Sequence, residues 1–208
     1  MRIVAAYSFN NGQQLIERDF VAELDEIKAA IAGVDAAAAR NKESKERDRM
    51  GRILYKPGDL NRAFLQEQLY RQGWLHPRVA YKVGGQAMGY EHSGYIEADG
   101  IKNQLGLEVQ FGKYAFLGWD ILGKMPILAS KGYIRAGVEV VPMKSLVGDM
   151  SSGIGHFEQI VGILELRGVT SKDIPVLILG IAPDLTETGQ TLVLSLEDAK
   201  NEDMIDVQ

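Results

Sequence analysis

The sequence predicts one α/β domain in which helices flank a mixed central sheet, and three observations carry that reading. Segments of strand period and of helical period alternate along the whole chain. The middle is crowded with short alternating strand patterns. Near the C-terminus, "IPVLILGIAP" (174–183) is a continuous apolar run, the signature of a central strand buried on both faces. The 208 residues suit a single domain over 1–208, long enough to bury a substantial core. An acidic tail from about residue 197 is expected to fray.

Taken in order, "RIVAAY" (2–7) reads as a short strand. Over 13–32, Leu15, Val21, Leu24, Ile27 and Ile31 recur near helical spacing, which predicts one amphipathic helix. A charged stretch, "RNKESKERDRMGR" (40–52), follows. Asp59 is placed to cap a helix that carries Leu60, Phe64 and Leu69 and stops at Gly73. "RVAYKV", "SGYIEAD", "LGLEVQF", "MPILAS" and "AGVEVV" read as strands, and "YAFLGWDIL" as a helix lying over the sheet. Phe157, Ile160, Val161 and Leu164 stand at i, i+3, i+4 and i+7 of a further helix. No internal repeat, low-complexity tract or linker interrupts the series.

Composition limits the function classes. Apolar residues make up 46% and charged residues 25%, as in an ordinary globule. No apolar run approaches a bilayer span, and "MRIVAAYSFNNG" lacks the long apolar core of a signal peptide. There are no cysteines, hence no disulfide, thiolate ligand or thiol nucleophile. A cytoplasmic protein is the expectation. The net charge of −5 argues against a general nucleic-acid coat but leaves room for a local basic groove.

Few motifs carry chemistry. His76, His92 and His156 are scattered without ligand spacing and read as surface or satisfied residues. "YKVGGQAMG" (81–89) has neither a Walker pattern nor GxGxxG and reads as a hairpin turn. "DMSSGIG" (149–155) lacks a nucleophile elbow, so its serines read as a helix cap, still able to face an anion.

The segment "GLEVQFGKY" (106–114) is more informative. As a strand it turns Leu107, Val109 and Phe111 one way and Glu108 and Gln110 the other. Gly106 and Gly112 bracket the polar pair, which would let a bulky polyanion approach. Asp99 stands before a predicted turn, "GIKNQ", so antiparallel pairing across it would bring Asp99 to Glu108. Two carboxylates with the carbonyl of Val109 make an oxygen site for a hard cation such as Mg²⁺. The same pattern also describes an ordinary sheet with one wet face. The stretch 40–52 has two readings as well. Arg40, Lys42, Lys45, Arg47, Arg49 and Arg52 outnumber Glu43, Glu46 and Asp48, which suits either a solvated helix face or a surface for phosphates.

Asp99 followed by "LEVQFGKY" resembles the active-site segment of the BglII/BstYI family of type II restriction endonucleases, within the PD-(D/E)xK nuclease superfamily. The resemblance extends, in order, through the N-terminal "MRIV" and "AYS", "KESKE" (42–46), "ILY" before Pro57, "VEVVPMKSL", "MSSGI" and "PVLILGIAP". It lies nearer to BstYI, with a shorter variable arm between Tyr81 and Gly94. The resemblance implies a restriction-endonuclease-like mixed sheet and a homodimer enclosing double-stranded DNA. It implies Mg²⁺-dependent hydrolysis of phosphodiester bonds at a palindrome with a GATC core. Asp99, Glu108 and Gln110 become catalytic, and Asp99, Glu108 and the Val109 carbonyl hold the metal. Gln110 stands where most of the superfamily has lysine. A neutral amide cannot be a general base, so water activation falls to the metal, helped by Glu108 or a substrate phosphate. Lys113, Ser151 and Ser152 correspond to groups facing the major groove, and Lys42, Ser44 and Lys45 to DNA contacts along "KESKE". Two other readings stand beside this one: a related repair or defence nuclease without palindromic specificity, and a non-catalytic DNA-binding or structural α/β protein.

Overall fold

The computed structural model describes residues 1–85 and 89–184. The acidic tail expected from about residue 197 lies outside the described residues, as does the tip of "YKVGGQAMG". The chain order is β1 (Arg2–Phe9), α1 (Gly12–Asp19), α2 (Val21–Gly33), β2 (Lys42–Glu43), β3 (Ile53–Leu54), α3 (Pro57–Phe64), β4 (Arg78–Gly85) and β5 (Tyr90–Glu97). It continues with β6 (Gly100–Lys102), β7 (Leu105–Val109), α4 (Tyr114–Trp119), α5 (Met125–Ser130), β8 (Ala136–Pro142), α6 (Lys144–Val147), α7 (Phe157–Arg167) and β9 (Val176–Ala182).

The main sheet runs β1-β9-β8-β7-β6. β7, β8 and β9 are parallel, while β1 and β6 close the two edges antiparallel. The sheet is therefore mixed, and the apolar run at the C-terminus is indeed an interior strand: every residue of β8 and β9 is buried. Side-chain alternation divides the core in two. Leu105, Leu107, Val109, Val138, Val140, Leu177 and Leu179 face a layer with Ile16, Leu24, Ile27 and Phe64 from α1 to α3. Val141, Val176 and Ile178 face Leu117, Met125, Leu128, Phe157 and Ile160 from α4, α5 and α7. Glu108 and Glu139 are the even- and odd-numbered partners of one register pair on β7 and β8. Both point into this second layer, by alternation with their neighbours.

Three expectations are corrected. The helix over 13–32 is broken at Phe20 (φ −134°, ψ 37°), whose buried ring anchors the bend between α1 and α2. Asp59 lies inside the first turn of α3, because Pro57 opens the helix and Lys56 takes the cap position. "MPILAS" is α5 and not a strand: it continues α4 through a wide π-type turn, Asp120–Lys124. Pro126 stands at its start, directly after the π-type turn, where the regular helical ladder is already interrupted. α3 likewise runs on through Leu65–Leu69 and Tyr70–Gln72 to Gly73, whose positive φ of 86° ends it as expected.

Candidate active site

The β6–β7 hairpin turns at Asn103 and Gln104, both with positive φ (48° and 68°). Its register pairs Gly100 with Leu107 and so sets Asp99 opposite Glu108. Asp99 is held at two points. Its Oδ2 accepts the Val109 N–H at 2.9 Å, and its carbonyl accepts the Tyr70 hydroxyl at 2.9 Å. Burial first, then Asp99, Glu97 and Glu108, push the Tyr70 phenol up to about 12, so it remains a donor. His76 pairs with Tyr70 at 2.9 Å and with Glu97, whose carboxyl is held below its usual range by His76 and Arg78.

Glu108 is 3% exposed, which removes the wet-face reading of this strand. Its Oε2 accepts from Lys124 Nζ at 2.7 Å, and the same ammonium lies 2.7 Å from Asp120 Oδ1. Asp120 Oδ2 in turn accepts from Gln110 Nε2 at 2.8 Å, and Gln110 Oε1 accepts the Gly112 N–H at 2.7 Å. A Cβ on Gly112 would meet the same Gln110 Oε1 that its N–H holds, and Gly106 packs on Ile134. Gly106, buried, thus serves internal packing and not the approach of a polyanion. Glu139, beside Glu108, is fully buried, and neither of its oxygens has a hydrogen-bond partner.

These carboxylates crowd one low-dielectric space. Burial, then Asp99, raise Glu108 well above the carboxylate range, with Lys124 opposing. Burial, then Asp120 and Glu108, do the same to Glu139. Burial raises Asp99 too, against its bond from Val109. For Lys124, burial alone would favour the neutral amine, but Glu108 and Asp120 outweigh it and raise its pKa.

The donors fit a hard divalent cation. Asp99 and Glu108 offer carboxylate oxygens at a spot already attractive enough to hold an ammonium, and Glu139 adds two orphaned oxygens beside Glu108 on β8. Among the described residues, no three acidic or histidine side chains can enclose an ion by themselves. An ion here would therefore rest on one or two carboxylates, with further oxygens from backbone, water or substrate, the habit of Mg²⁺.

Beyond β7, the chain joins the expected DNA-contacting residues. Lys113 bridges Ile154, with Tyr114 N–H donating to the Gly153 carbonyl at 3.0 Å and Gly155 N–H to the Gly112 carbonyl at 3.2 Å. Lys42 Nζ reaches Ser151 Oγ at 2.5 Å, and Glu46 accepts the Ser152 N–H at 2.9 Å. Arg49 donates to the carbonyls of Gly148 and Met150 (3.2 and 2.8 Å). The 40–52 stretch is thus an irregular strap docked on the 148–152 loop, not a helix face. Lys42, Lys45, Lys113 and Ser152 are exposed and Ser151 partly so. Ser44 turns inward: it is 2% exposed, and its hydroxyl accepts the Glu46 N–H at 3.3 Å. The serines do not cap α7; His156 does, accepting the Gln159 N–H at 3.3 Å.

Reading the sequence missed Asp120, Lys124 and Glu139. Asp120 and Lys124 carried only an i,i+4 spacing, common on any helix. Glu139 carried a better signal, a single acid inside the apolar "AGVEVVP".

A family model described as "Restriction endonuclease BglII/BglIII" matches residues 4–181. The fold is similar to that of restriction endonuclease BglII complexed with a DNA 16-mer. That match has a TM-score of 0.67 and 16% identity, covering 88% of this chain and 79% of that one. It is also similar to free BglII, with a TM-score of 0.56 and 16% identity, over 88% of this chain and 81% of that one. No curated protein sequence matches the chain.

Proposed function

The chain belongs to the BglII/BglIII family of restriction endonucleases, and from that premise we propose that it cuts double-stranded DNA as a homodimer, with Mg²⁺, at a palindrome containing GATC. It is a type II site-specific deoxyribonuclease by family; metal, sequence and assembly are the proposal. Within the family we place it beside BstYI, in the PD-(D/E)xK superfamily, as one domain acting in the cytoplasm. The observation that carries the reading is the convergence of Asp99 and Glu108 across one hairpin, at the end of the sheet that also holds Gln110 and leads into Lys113.

Asp99, Glu108 and the Val109 carbonyl would hold the cation. When bound, Mg²⁺ supplies charge for the phosphate and lowers the pKa of a water at the site. Asp99 comes to this task pre-aimed by the Val109 N–H and by Tyr70 on its carbonyl. Gln110 has one amide N–H bound to Asp120 and keeps the second to orient the attacking water. Lys113, Ser151 and Ser152 read base edges in the major groove, and Lys42 and Lys45 take phosphates. Ser44 braces their strap from beneath, so direct contact passes to its neighbours. The BglII structure named for its DNA 16-mer supports DNA as the partner.

The test is bacteriophage DNA incubated with protein and Mg²⁺, with the fragment ends sequenced. Discrete ends sharing GATC are expected, with none in chelator and binding without cutting in Ca²⁺. Asp99→Ala and Glu108→Ala should each abolish cleavage and leave specific binding largely intact. A smear of random ends, or full activity in either variant, overturns the reading.

A further inference from the structure

Lys124 is a cation built into the catalytic carboxylates. It enters from the wide turn between α4 and α5, opposite the strand that supplies Glu108, and its side chain is only 14% exposed. Its ammonium stands 2.7 Å from both Glu108 and Asp120. No other cationic side chain pairs with Glu108, Asp120 or Glu139 among the described residues. The Lys124 charge acts on Asp99, Glu108 and Glu139 and pairs directly with Asp120, so a single positive charge serves four acids. Such an ammonium does two opposing things. It relieves the carboxylates where no metal is present, and it repels any second cation brought to the same oxygens.

We propose that Lys124 is a positioning residue that holds Glu108 in the ion-free protein and, by sharing that carboxylate, weakens the site's affinity for a divalent cation until a DNA phosphate adds its own charge. This rests on the reading of Asp99 and Glu108 as the cation site. It explains why Glu108 is neither free nor bonded to a backbone donor, as Asp99 is. It also gives Asp120 a purpose. When Glu108 turns to a metal, Asp120 stays behind as the ammonium's partner, and through Gln110 it keeps the amide aimed. The site can then load its ion without leaving a charge unpaired in the core.

The experiment is Mn²⁺ binding without DNA, followed by the magnetic-resonance signal of the free ion, on the wild type, Lys124→Gln, Lys124→Met and Glu108→Ala. Lys124→Gln keeps donors for both carboxylates and removes only the charge, so it reports even where Lys124→Met does not fold. Both lysine variants should bind Mn²⁺ at least about tenfold more tightly than wild type, because the competing charge is gone. Their ion-free forms should melt lower, and Mn²⁺ should raise the melting temperature more than it does for wild type. A lysine that only supports the fold would give unchanged or weaker ion binding in Lys124→Gln. That result, with Glu108→Ala still losing the ion, overturns the role of Lys124 and spares the cation site. Ion binding that survives Glu108→Ala overturns both.

Discussion

At the scale of single residues, the site is kept at the expense of stability. Glu139 is buried without a partner beside another buried acid, an arrangement a core would discard were stability all that mattered. Its carboxyl is raised by burial and by Asp120 and Glu108, so the folded protein grips that proton more tightly than the unfolded chain does. The stability this lends is complete below the ordinary carboxylate range and is lost as pH climbs towards the raised folded value. Glu139→Gln removes the titration. In ion-free protein the variant should match the wild type near pH 5 and exceed it by about 1–3 kcal/mol near pH 8, read from denaturant melts. A variant less stable than wild type at both pH values would contradict this. Asp99 and Glu108 were legible in the sequence because a hairpin brings near what its turn separates. Lys124 was not, since nothing local says which way a helical lysine will face. Glu139 was visible only as an impurity in an apolar strand.

At the scale of elements, β9 was legible as an unbroken apolar run, and the middle strands by their short alternating patterns. The errors came where local pattern and tertiary packing disagree. Six apolar-rich residues, "MPILAS", suit either a strand or a helix, and only their continuity with the turn above them decides. The bend at Phe20 was hidden because α1 and α2 share an apolar period but not an axis. α1 packs closely against the sheet: a Cβ on Gly12 would fall onto the backbone of Val176. Gly12→Ala should therefore cost about 1–3 kcal/mol or more, with a lowered melting temperature and no shift in cutting position. The strap over 40–52 makes a different prediction. Lys42→Ala or Lys45→Ala should weaken binding to all DNA sequences alike and reduce the slope of log affinity against log salt by about one per lost phosphate contact. A changed sequence preference in either would reassign the strap to base reading.

At the scale of the whole molecule, the described residues of one chain carry one carboxylate centre, whereas a double-strand break requires two hydrolyses on opposed strands. A two-fold dimer supplies both centres about the dyad of a palindrome. Cuts mapped on both strands should be symmetric about GATC, made by a species of twice the chain mass; asymmetric cuts by a monomer would refute it. Lys113→Ala, felt once in each half-site at about 1–3 kcal/mol, should depress cognate cleavage far more than nonspecific binding. The short bridge from Lys113 to Ile154 bears on more than architecture. It couples the loop proposed to touch bases to the backbone three residues after Gln110, with no slack between them. A mismatched base that lifts the loop would disturb the amide proposed to orient water. Wrong sequences, already held more weakly for want of their base contacts, would then lose cutting by more than they lose binding. Fidelity in such an enzyme is partly a property of its timing, and it would appear as a fall in turnover steeper than the fall in occupancy.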